Sequence, residues 1–288
     1  MDYVAGAVDK TLADLLPLPA GPESRMLEAL RYGALGAGKR LRPFLVVASG
    51  DLFDVDHRLS LRVAAAAEMV HCYSLIHDDL PCMDDADLRR GRPSVHRQYD
   101  EATAVLAGDA LLTLAFEVLA VPATHIDAEV RTQLVRALAV AAGPAGMVGG
   151  QAIDLSAMNQ DLDPGSITRM QSLKTGAMIG FCCEAGALLG HADPPKRHAL
   201  RAYAHDLGLA FQIADDLLDA EGAAQDLGKP VRQDAARGKA TLVEVMGAER
   251  ARAQAAMLSE QARRHLDIFG RKAQLLQDLA AFVITRRA

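Results

Sequence analysis

The sequence predicts an all-α fold, because apolar residues recur at helical spacing nearly everywhere and strand-like alternation is scarce. One such series is Leu61, Ala64, Ala65, Met69 and Cys72. The breaks between helical segments are short and rich in Pro, Gly and Asp. These observations predict about ten or more helices, joined mostly by short loops and packed as a bundle with a buried centre.

Helix-breaking residues fix the order of the elements. The breaks lie at Pro17-Leu18-Pro19, at residues 51–57, at Pro122, at Gly143-Pro144, at residues 161–165, at Asp193-Pro194-Pro195 and at Gly228-Lys229-Pro230. The segment from Thr175 to Leu189 is apolar on nearly all sides. Such a helix is typical of a protein centre or of a subunit interface, so we expect a homodimer.

The composition is that of an ordinary globular protein. The 288 residues are 50% hydrophobic and 24% charged, and no Ser/Gly/Pro-rich linker or low-complexity tract interrupts them. We therefore expect a single domain over residues 1–288, although the length alone favours two. The net charge of -6 argues against a nucleic-acid-binding surface.

Neither a membrane span nor a secretory signal is expected. The most apolar stretch, Ala102 to Val121, carries Asp109 and Glu117, and such charges are costly inside a bilayer. The N-terminus lacks the basic start and the apolar core of a signal peptide. The sequence therefore predicts a cytoplasmic protein.

The cysteines show no paired metal-binding spacing. A cytoplasmic chain of this size normally keeps its thiols reduced, so we expect core or cavity-lining residues, with zinc binding as a remote alternative. They are Cys72, Cys82, Cys182 and Cys183.

Two aspartate-rich motifs, at residues 77–85 and 215–219, indicate the chemistry of the protein. Each follows an apolar stretch and is followed by basic residues. Clustered carboxylates repel one another unless a cation lies between them, and Mg²⁺ prefers oxygen ligands. Acidic metal sites that face basic side chains are what a diphosphate held through Mg²⁺ requires. A solvated acidic helix face is the alternative interpretation.

The spacing within the two motifs predicts different geometries. Asp215 and Asp219 are four residues apart, so both carboxylates lie on one helix face and can share a cation. Pro81 should end or kink the helix that carries Asp78. Residues 84–85 can then turn back towards Asp78.

His71 lies seven residues before Asp78, two turns along the same helix face, so we expect it to face the same cavity. A core histidine with satisfied hydrogen bonds is the alternative. The pair His77-Asp78 could also indicate a metal-dependent phosphohydrolase, but no set of partner histidines occurs at helical spacing.

Five motifs in order make the chain resemble a known family. They are Gly38-Lys39-Arg40-Leu41-Arg42-Pro43, Asp78-Asp79-(four residues)-Asp84, Leu88-Arg89-Arg90-Gly91, Lys174-Thr175-Gly176 and the run from Phe211 to Asp219. From about Arg31 to its C-terminus the chain resembles the trans-isoprenyl diphosphate synthase family, bacterial farnesyl diphosphate synthase type. Two departures are Ala37, where the family usually has Gly, and Arg232, which puts closure of its loop in doubt.

The resemblance implies antiparallel helices around a deep central cavity, usually in a dimer. It implies a Mg²⁺-dependent condensation of isopentenyl diphosphate with an allylic diphosphate, dimethylallyl or geranyl, through ionisation, condensation and elimination. Farnesyl diphosphate is the main product expected. About three Mg²⁺ ions per active site are implied. The implied metal ligands are Asp78, Asp84 and Asp215, with Asp79, Asp216 and Asp219 as neighbours that bind directly or through water.

The resemblance also assigns the groups that hold the substrates. For the allylic diphosphate these are Arg89, Lys174 and Lys229, with Lys239 close by. For isopentenyl diphosphate they are Lys39, Arg42, His71 and Arg90. The polar groups near the developing allylic cation are Thr175 and Gln212, and Phe211 precedes Gln212 in the substrate-binding set.

Tyr73 and Ser74 are the residues that the resemblance connects with product length. Tyr73 precedes Asp78 by five residues, so on a helix it lies about 7.5 Å deeper. There a bulky ring is the floor that stops growth at fifteen carbons, and an ordinary core aromatic is the alternative. Ser74 is small, which keeps a geranylgeranyl diphosphate synthase open as the runner-up.

Two further functions remain as alternatives. A non-catalytic partner subunit would have no reason to keep clustered carboxylates. A terpene cyclase shares the first motif, but its second metal site normally has an Asn-Ser/Thr-Glu pattern, where this chain has a second Asp-Asp-x-x-Asp.

Overall fold

A computed structural model describes residues 1–36, 38–157, 162–221 and 241–286. Its helices are α1 (Asp2–Leu15), α2 (Ser24–Ala34), α3 (Leu41–Asp51), α4 (His57–Asp78), α5 (Val95–Gln98), α6 (Glu101–Ala120), α7 (Ala128–Ala142), α8 (Met147–Ser156), α9 (Pro164–Gln171), α10 (Ala177–Leu189), α11 (Pro194–Glu221), α12 (Leu242–Met246), α13 (Ala248–His265) and α14 (Gln274–Thr285). The all-α prediction is confirmed. The predicted breaks separate successive helices, except that residue 161 and the break at 228–230 lie outside the described residues.

Aspartates explain why several helices begin where they do. The side chains of Asp56, Asp100, Asp127 and Asp163 each accept a backbone N–H in the first turn of α4, α6, α7 and α9. Such caps satisfy amide groups that have no partner within the helix. Pro164 then occupies the first position of α9, where a missing N–H costs nothing.

The main apolar core surrounds α4 and α10. Helix α4 packs against α3 and α6, and α10 packs against α3, α7 and α11. In α10 the side chains of Met178, Phe181, Cys182 and Cys183 are buried. The segment that the sequence predicted to be central or part of a subunit interface is therefore a central helix.

A second, smaller apolar cluster lies beside the first. It includes Ile167 of α9, Leu242 of α12 and Leu258 of α13. Helix α11 contributes to both clusters, with Leu207 in the main core and Ile213 in the smaller one. This long helix thus connects the two parts of the interior.

Besides a 3-10 helix at Asp267–Ala273 between α13 and α14, two local features of the described residues depart from the expected run of α-helix. Leu88–Arg89 and Arg92–Pro93 form strands β1 and β2 of a short antiparallel hairpin. Ser172–Gly176 forms one turn of π-helix between α9 and α10. Both carry basic residues of the motifs described above, and π-helical turns are frequent at functional sites.

Two helices, α4 and α6, are long and apolar enough to cross a membrane by length and composition. In α4, 67% of the most apolar window is buried inside the protein, as in a core helix, and in α6 the fraction is 39%. One or two such helices are weak evidence for a span. The absence of a membrane span therefore stays a prediction.

All four cysteines are free, and Cys72, Cys182 and Cys183 are buried as expected. Cys82 is exposed, so it is not a core residue. It lies in the loop after Pro81, beyond the end of α4.

Candidate active site

The first acidic motif folds back on the end of α4. The helix ends at Asp78, three residues before Pro81. The backbone N–H of Asp84 then donates to the Asp78 carbonyl at 2.8 Å, and that of Asp85 donates to the Leu80 carbonyl at 3.1 Å. The predicted return of residues 84–85 towards Asp78 is confirmed. It places the Asp78 and Asp84 backbones side by side at the end of one helix.

Asp79 faces a basic residue of the same motif. Its carboxylate is only 2% exposed and accepts hydrogen bonds from Arg89, with Nε at 3.0 Å from Oδ1. Burial raises the pKa of the Asp79 carboxyl, and the Arg89 hydrogen bonds oppose that rise. This pairing favours a role for Asp79 in orienting Arg89 over a role as a direct metal ligand.

The β-hairpin positions Arg90 against the basic turn upstream. Arg90 and Gly91 form its turn with φ values of 53° and 75°, a conformation suited to a tight hairpin. A Cβ atom on Gly38 would lie 2.6 Å from Nη1 of Arg90. Gly38 thus leaves the space that the Arg90 side chain needs beside Lys39.

These basic residues converge on one cavity, which we call the basic cavity. Its volume is about 500 Å³, and its lining includes Lys39, Arg42, His71 and Arg90. Nη1 of Arg42 lies 3.4 Å from Nε2 of His71. Burial lowers the pKa of His71 well below its ordinary value, and the nearby positive charges of Arg42 and Arg90 lower it further. The structure therefore brings a neutral imidazole together with Lys39, Arg42 and Arg90, and Arg40 and Arg286 also line this cavity.

Arg40, between Lys39 and Arg42, has a different role. Its guanidinium is buried and donates to Glu68 at 2.5 Å, to Asp9 at 2.8 Å and to two backbone carbonyls of residues 34 and 36. With its donors used in this way, Arg40 anchors the turn that presents Lys39 and Arg42. The sequence analysis did not predict this anchoring role of Arg40. The available signal was Glu68, an acidic residue on the buried side of α4.

Lys174 belongs to the π-helical turn and pairs with an acid that the sequence analysis missed. Its Nζ donates to Oδ2 of Asp154 at 2.6 Å, and Asp154 is 7% exposed. Asp154 follows Gln151 by three residues on α8. That spacing, on one helix face, was the signal that could have identified it.

Gly150 permits the contact between α8 and the π-helical turn. A Cβ atom at this position would lie 2.2 Å from the backbone nitrogen of Lys174, where no side-chain rotation relieves the clash. We expect Gly150→Ala to lower the free energy of unfolding by about 1–3 kcal/mol, as overpacking does, and to lower activity. Gly180→Ala on α10 is the control, because nothing lies within 4 Å of its added Cβ. Denaturant titration of both variants measures the difference; equal stability would mean that α8 can move away without cost.

A second cavity, the Tyr73 cavity, adjoins the basic cavity. Its volume is about 420 Å³, and Arg42 and His71 line both. Its other walls combine acidic, basic and apolar groups from α4, α8 and the π-helical turn. They include Tyr73, Ser74, His77, Asp78, Met147, Gln151, Lys174 and Thr175. Predicted metal, cation-stabilising and product-length residues thus lie around one space.

Gln151 is a further polar group in this wall. Both polar atoms of its amide are buried and have no hydrogen-bond partner among the residues that the structure describes. The sequence left open whether Gln151 packs or makes contacts. Because an unpaired buried amide is costly, its position in the cavity wall favours contact with a ligand.

The second acidic motif lies on α11. Asp215 forms an ion pair with Arg286, which also lies 4.0 Å above the ring centroid of Phe211. Asp216 is buried and accepts a hydrogen bond from Gln171 of α9 at 3.0 Å. This contact directs Asp216 towards α9. Asp219 is buried one turn after Asp215, and Gln212 is half-buried.

The donor set fits a hard divalent cation, although the side chains do not form a closed site. Within the described ranges, no three His, Cys, Asp or Glu side chains converge as metal ligands would. The Arg286 guanidinium is nevertheless a cation held at the Asp215 carboxylate. Carboxylate oxygens are the ligands that Mg²⁺ prefers. The predicted contacts of Lys229 and Lys239, and the loop with Arg232, lie outside the described residues.

Comparison with known proteins identifies the family. A model of the polyprenyl synthetase family matches residues 23–279. The chain belongs to the polyprenyl synthetase family. The predicted family and the predicted enzyme class, a trans-prenyltransferase, are confirmed.

Relatives of this polyprenyl synthetase are similar over most of its length. It is 43% identical over 265 residues to farnesyl diphosphate synthase from Geobacillus stearothermophilus. The aligned residues cover 90% of this chain and 88% of the relative. It is 41% identical over 264 residues to geranylgeranyl pyrophosphate synthase 11, chloroplastic, from Arabidopsis thaliana, with coverage of 90% and 74%. A crystal structure described as an apo FPP/GFPP synthase from Zymomonas mobilis matches with a TM-score of 0.90 and 51% identity, covering 98% and 96%.

Proposed function

We propose that this polyprenyl synthetase condenses isopentenyl diphosphate with dimethylallyl or geranyl diphosphate and releases mainly farnesyl diphosphate. The observation that supports this most directly is the pair of adjoining cavities. The basic cavity is lined by Lys39, Arg42 and Arg90 together with apolar groups of α14, and the Tyr73 cavity is lined by apolar groups together with Asp78 and Lys174. The two diphosphate substrates must be bound next to each other with their reacting carbons in contact, and adjoining cavities allow this.

The basic cavity is the proposed site for isopentenyl diphosphate. Lys39, Arg42 and Arg90 supply positive charge to its diphosphate, and charge-assisted hydrogen bonds of this kind are the strong ones. His71 stays neutral because burial and the neighbouring arginines lower its pKa. Its imidazole can therefore take part in hydrogen bonds without adding a fourth positive charge.

The allylic substrate is proposed to place its tail in the Tyr73 cavity and its diphosphate beside the acidic motifs. Asp78, Asp84 and Asp215 would hold about three Mg²⁺ ions. Asp79, Asp216 and Asp219 support them, the first through Arg89. When bound, Mg²⁺ supplies positive charge that neutralises the oxygens of the departing diphosphate. Arg89 and Lys174 add charge from the protein where negative charge grows as the bond breaks. Lys229 and Lys239 are proposed to join them.

The residues around the reacting carbon orient it and exclude water. The allylic C–O bond breaks, the double bond of isopentenyl diphosphate forms the new C–C bond, and a proton then leaves. Oxygens at Thr175 and Gln212 stabilise the cation without bonding to it. None of the motif side chains is an evident proton acceptor, so the released diphosphate is the proposed acceptor.

The proposal also includes the domain count, the oligomeric state and the location. A single domain over residues 1–288 agrees with the packing of α11, which contributes side chains to both apolar clusters. A homodimer would cover the exposed Val105 and Leu106 on α6, and sedimentation can test it. A cytoplasmic location agrees with four free cysteines, because disulfides are rare there.

The deciding experiment is a product assay. Purified protein is incubated with Mg²⁺, isopentenyl diphosphate and each allylic diphosphate in turn, and the dephosphorylated products are separated by chromatography. A linear fifteen-carbon product supports the proposal, and a twenty-carbon product supports the geranylgeranyl alternative. Cyclic hydrocarbons would indicate a terpene cyclase. No product with any primer would indicate a non-catalytic partner subunit.

Tyr73 is the proposed floor for the growing chain. It is 8% exposed and lines the cavity five residues before Asp78, which corresponds to about 7.5 Å along the helix. We expect Tyr73→Ala to shift the product to twenty carbons or more with only a modest loss of rate. Tyr3→Ala, at a ring that is 77% exposed on α1, is the control. Unchanged product length in Tyr73→Ala would place the floor elsewhere.

A further inference from the structure

His77 connects the Tyr73 ring to α6. Its Nε2–H group donates to the Val105 carbonyl at 3.0 Å, and Asp109 Oδ1 lies 4.0 Å away. The His77 ring also meets the Tyr73 ring at right angles, with 5.5 Å between the ring centroids and 88° between the planes. Edge-to-face geometry of this kind is favourable for aromatic pairs. One imidazole thus contacts both the cavity floor and the neighbouring helix.

Gly108 makes this position of the imidazole possible. A Cβ atom at Gly108 would lie 2.1 Å from Nε2 and 2.5 Å from Cδ2 of His77. The ring therefore occupies the space that any side chain at position 108 would take. With α6 behind it and Tyr73 in front of it, the imidazole cannot move away from an added Cβ without moving towards the cavity.

We propose that His77 is a positioning residue that holds the Tyr73 ring at the cavity floor. Gly108 leaves the space that the His77 imidazole occupies, which we call the seat of His77. Together they determine product length through Tyr73. This inference rests on the proposed function, since it concerns the length of the product. Within the described residues, the Val105 carbonyl accepts a hydrogen bond that holds the imidazole on the α6 side, and Asp109 of the same helix lies 4.0 Å from Nε2.

Two substitutions test the arrangement in opposite directions. His77→Ala removes the support of the Tyr73 ring, and we expect the fraction of products longer than fifteen carbons to rise by about tenfold, as loss of an aromatic pair allows. Gly108→Ala pushes the imidazole towards the cavity, and we expect ten-carbon product to accumulate. Gly180→Ala is the matched control, because its added Cβ meets nothing within 4 Å. It should leave the product pattern unchanged.

Double variants show whether the residues act through one another. If His77 acts through Tyr73, then adding His77→Ala to Tyr73→Ala produces no further shift in product length. If Gly108 acts through His77, then Gly108→Ala lowers the melting temperature in the wild-type background but not when His77 is Ala. Residues in contact show such non-additivity, whereas independent residues do not. The second measurement does not depend on activity.

The outcomes separate the two proposals. If the wild type yields no linear diphosphate, the proposed function fails, and the melting-temperature cycle still tests the seat at Gly108. If Tyr73→Ala lengthens the product but His77→Ala does not, the role of His77 is wrong while the function stands. Additive shifts in the Tyr73 and His77 double variant would also overturn the inference. An unchanged Mg²⁺ requirement in His77→Ala is expected, because the proposal does not involve the neighbouring Asp78.

Discussion

Asp78→Asn is expected to lower the turnover number by about a thousandfold or more and to leave the fold intact. In the proposed function the Asp78 carboxylate helps to hold Mg²⁺ against the departing diphosphate, and such stabilisation contributes several kcal/mol to the transition state. About 4 kcal/mol corresponds to about a thousandfold in rate. Asp215→Asn should have a similar effect, and Asn keeps an oxygen that can accept from Arg286. Activity of the wild type should disappear in chelator and return with Mg²⁺.

Asp85→Asn provides the matched control for this prediction. Asp85 lies in the same loop, is exposed and has a φ of 45°, a conformation that Asn adopts readily. Steady-state kinetics with saturating substrates should therefore show near-normal turnover in Asp85→Asn. Melting temperatures of all three variants exclude unfolding as the cause. Near-normal turnover in Asp78→Asn would contradict the metal assignment, and a large loss in Asp85→Asn would show that the whole loop is sensitive to charge.

Local chemistry explains what could be predicted from the sequence. The sequence predicted that α4 would end near Pro81, because proline cannot continue the hydrogen bonding of a helix. The return of Asp84 towards Asp78 follows from that helix end. The shared face of Asp215 and Asp219 follows from helical spacing. The convergence of the basic motifs on one cavity came from the family resemblance, not from the spacing of the residues.

Pairings between distant segments could not be predicted in the same way. Arg40 binds Glu68, which lies on α4, and Lys174 binds Asp154 where α8 contacts the π-helical turn at Gly150. Such partners are chosen by tertiary packing, which the local pattern does not contain. The five-residue π-helical turn was also missed, because an α-helical periodicity over so short a stretch does not distinguish it.

Lys39→Ala is expected to weaken isopentenyl diphosphate more than the allylic substrate, and Lys174→Ala is expected to do the reverse. Lys39 lines the basic cavity and Lys174 lines the Tyr73 cavity, and each cation is proposed to bind a different diphosphate. Loss of a charge-assisted contact costs about 1.5–3 kcal/mol, roughly ten- to a hundredfold in affinity. Arg42→Ala should follow Lys39, and Lys229→Ala should follow Lys174. The measurement is the KM of each substrate at saturating levels of the other.

Lys174→Ala also leaves the buried Asp154 carboxylate without its Lys174 partner, so its effect on binding must be separated from an effect on stability. The double variant Lys174→Ala with Asp154→Ala removes both members of the pair, and replacing both costs less stability than removing one. If the charge of Lys174 binds the allylic diphosphate, the double variant recovers stability but not allylic affinity. Lys196→Ala is the control and should change neither KM. Lys196 lies on α11 and forms an exposed ion pair with Asp193. Equal weakening of both substrates by Lys39→Ala and by Lys174→Ala would mean that the two cavities act as a single site, and a reversed pattern would mean that they have been assigned to the wrong diphosphates.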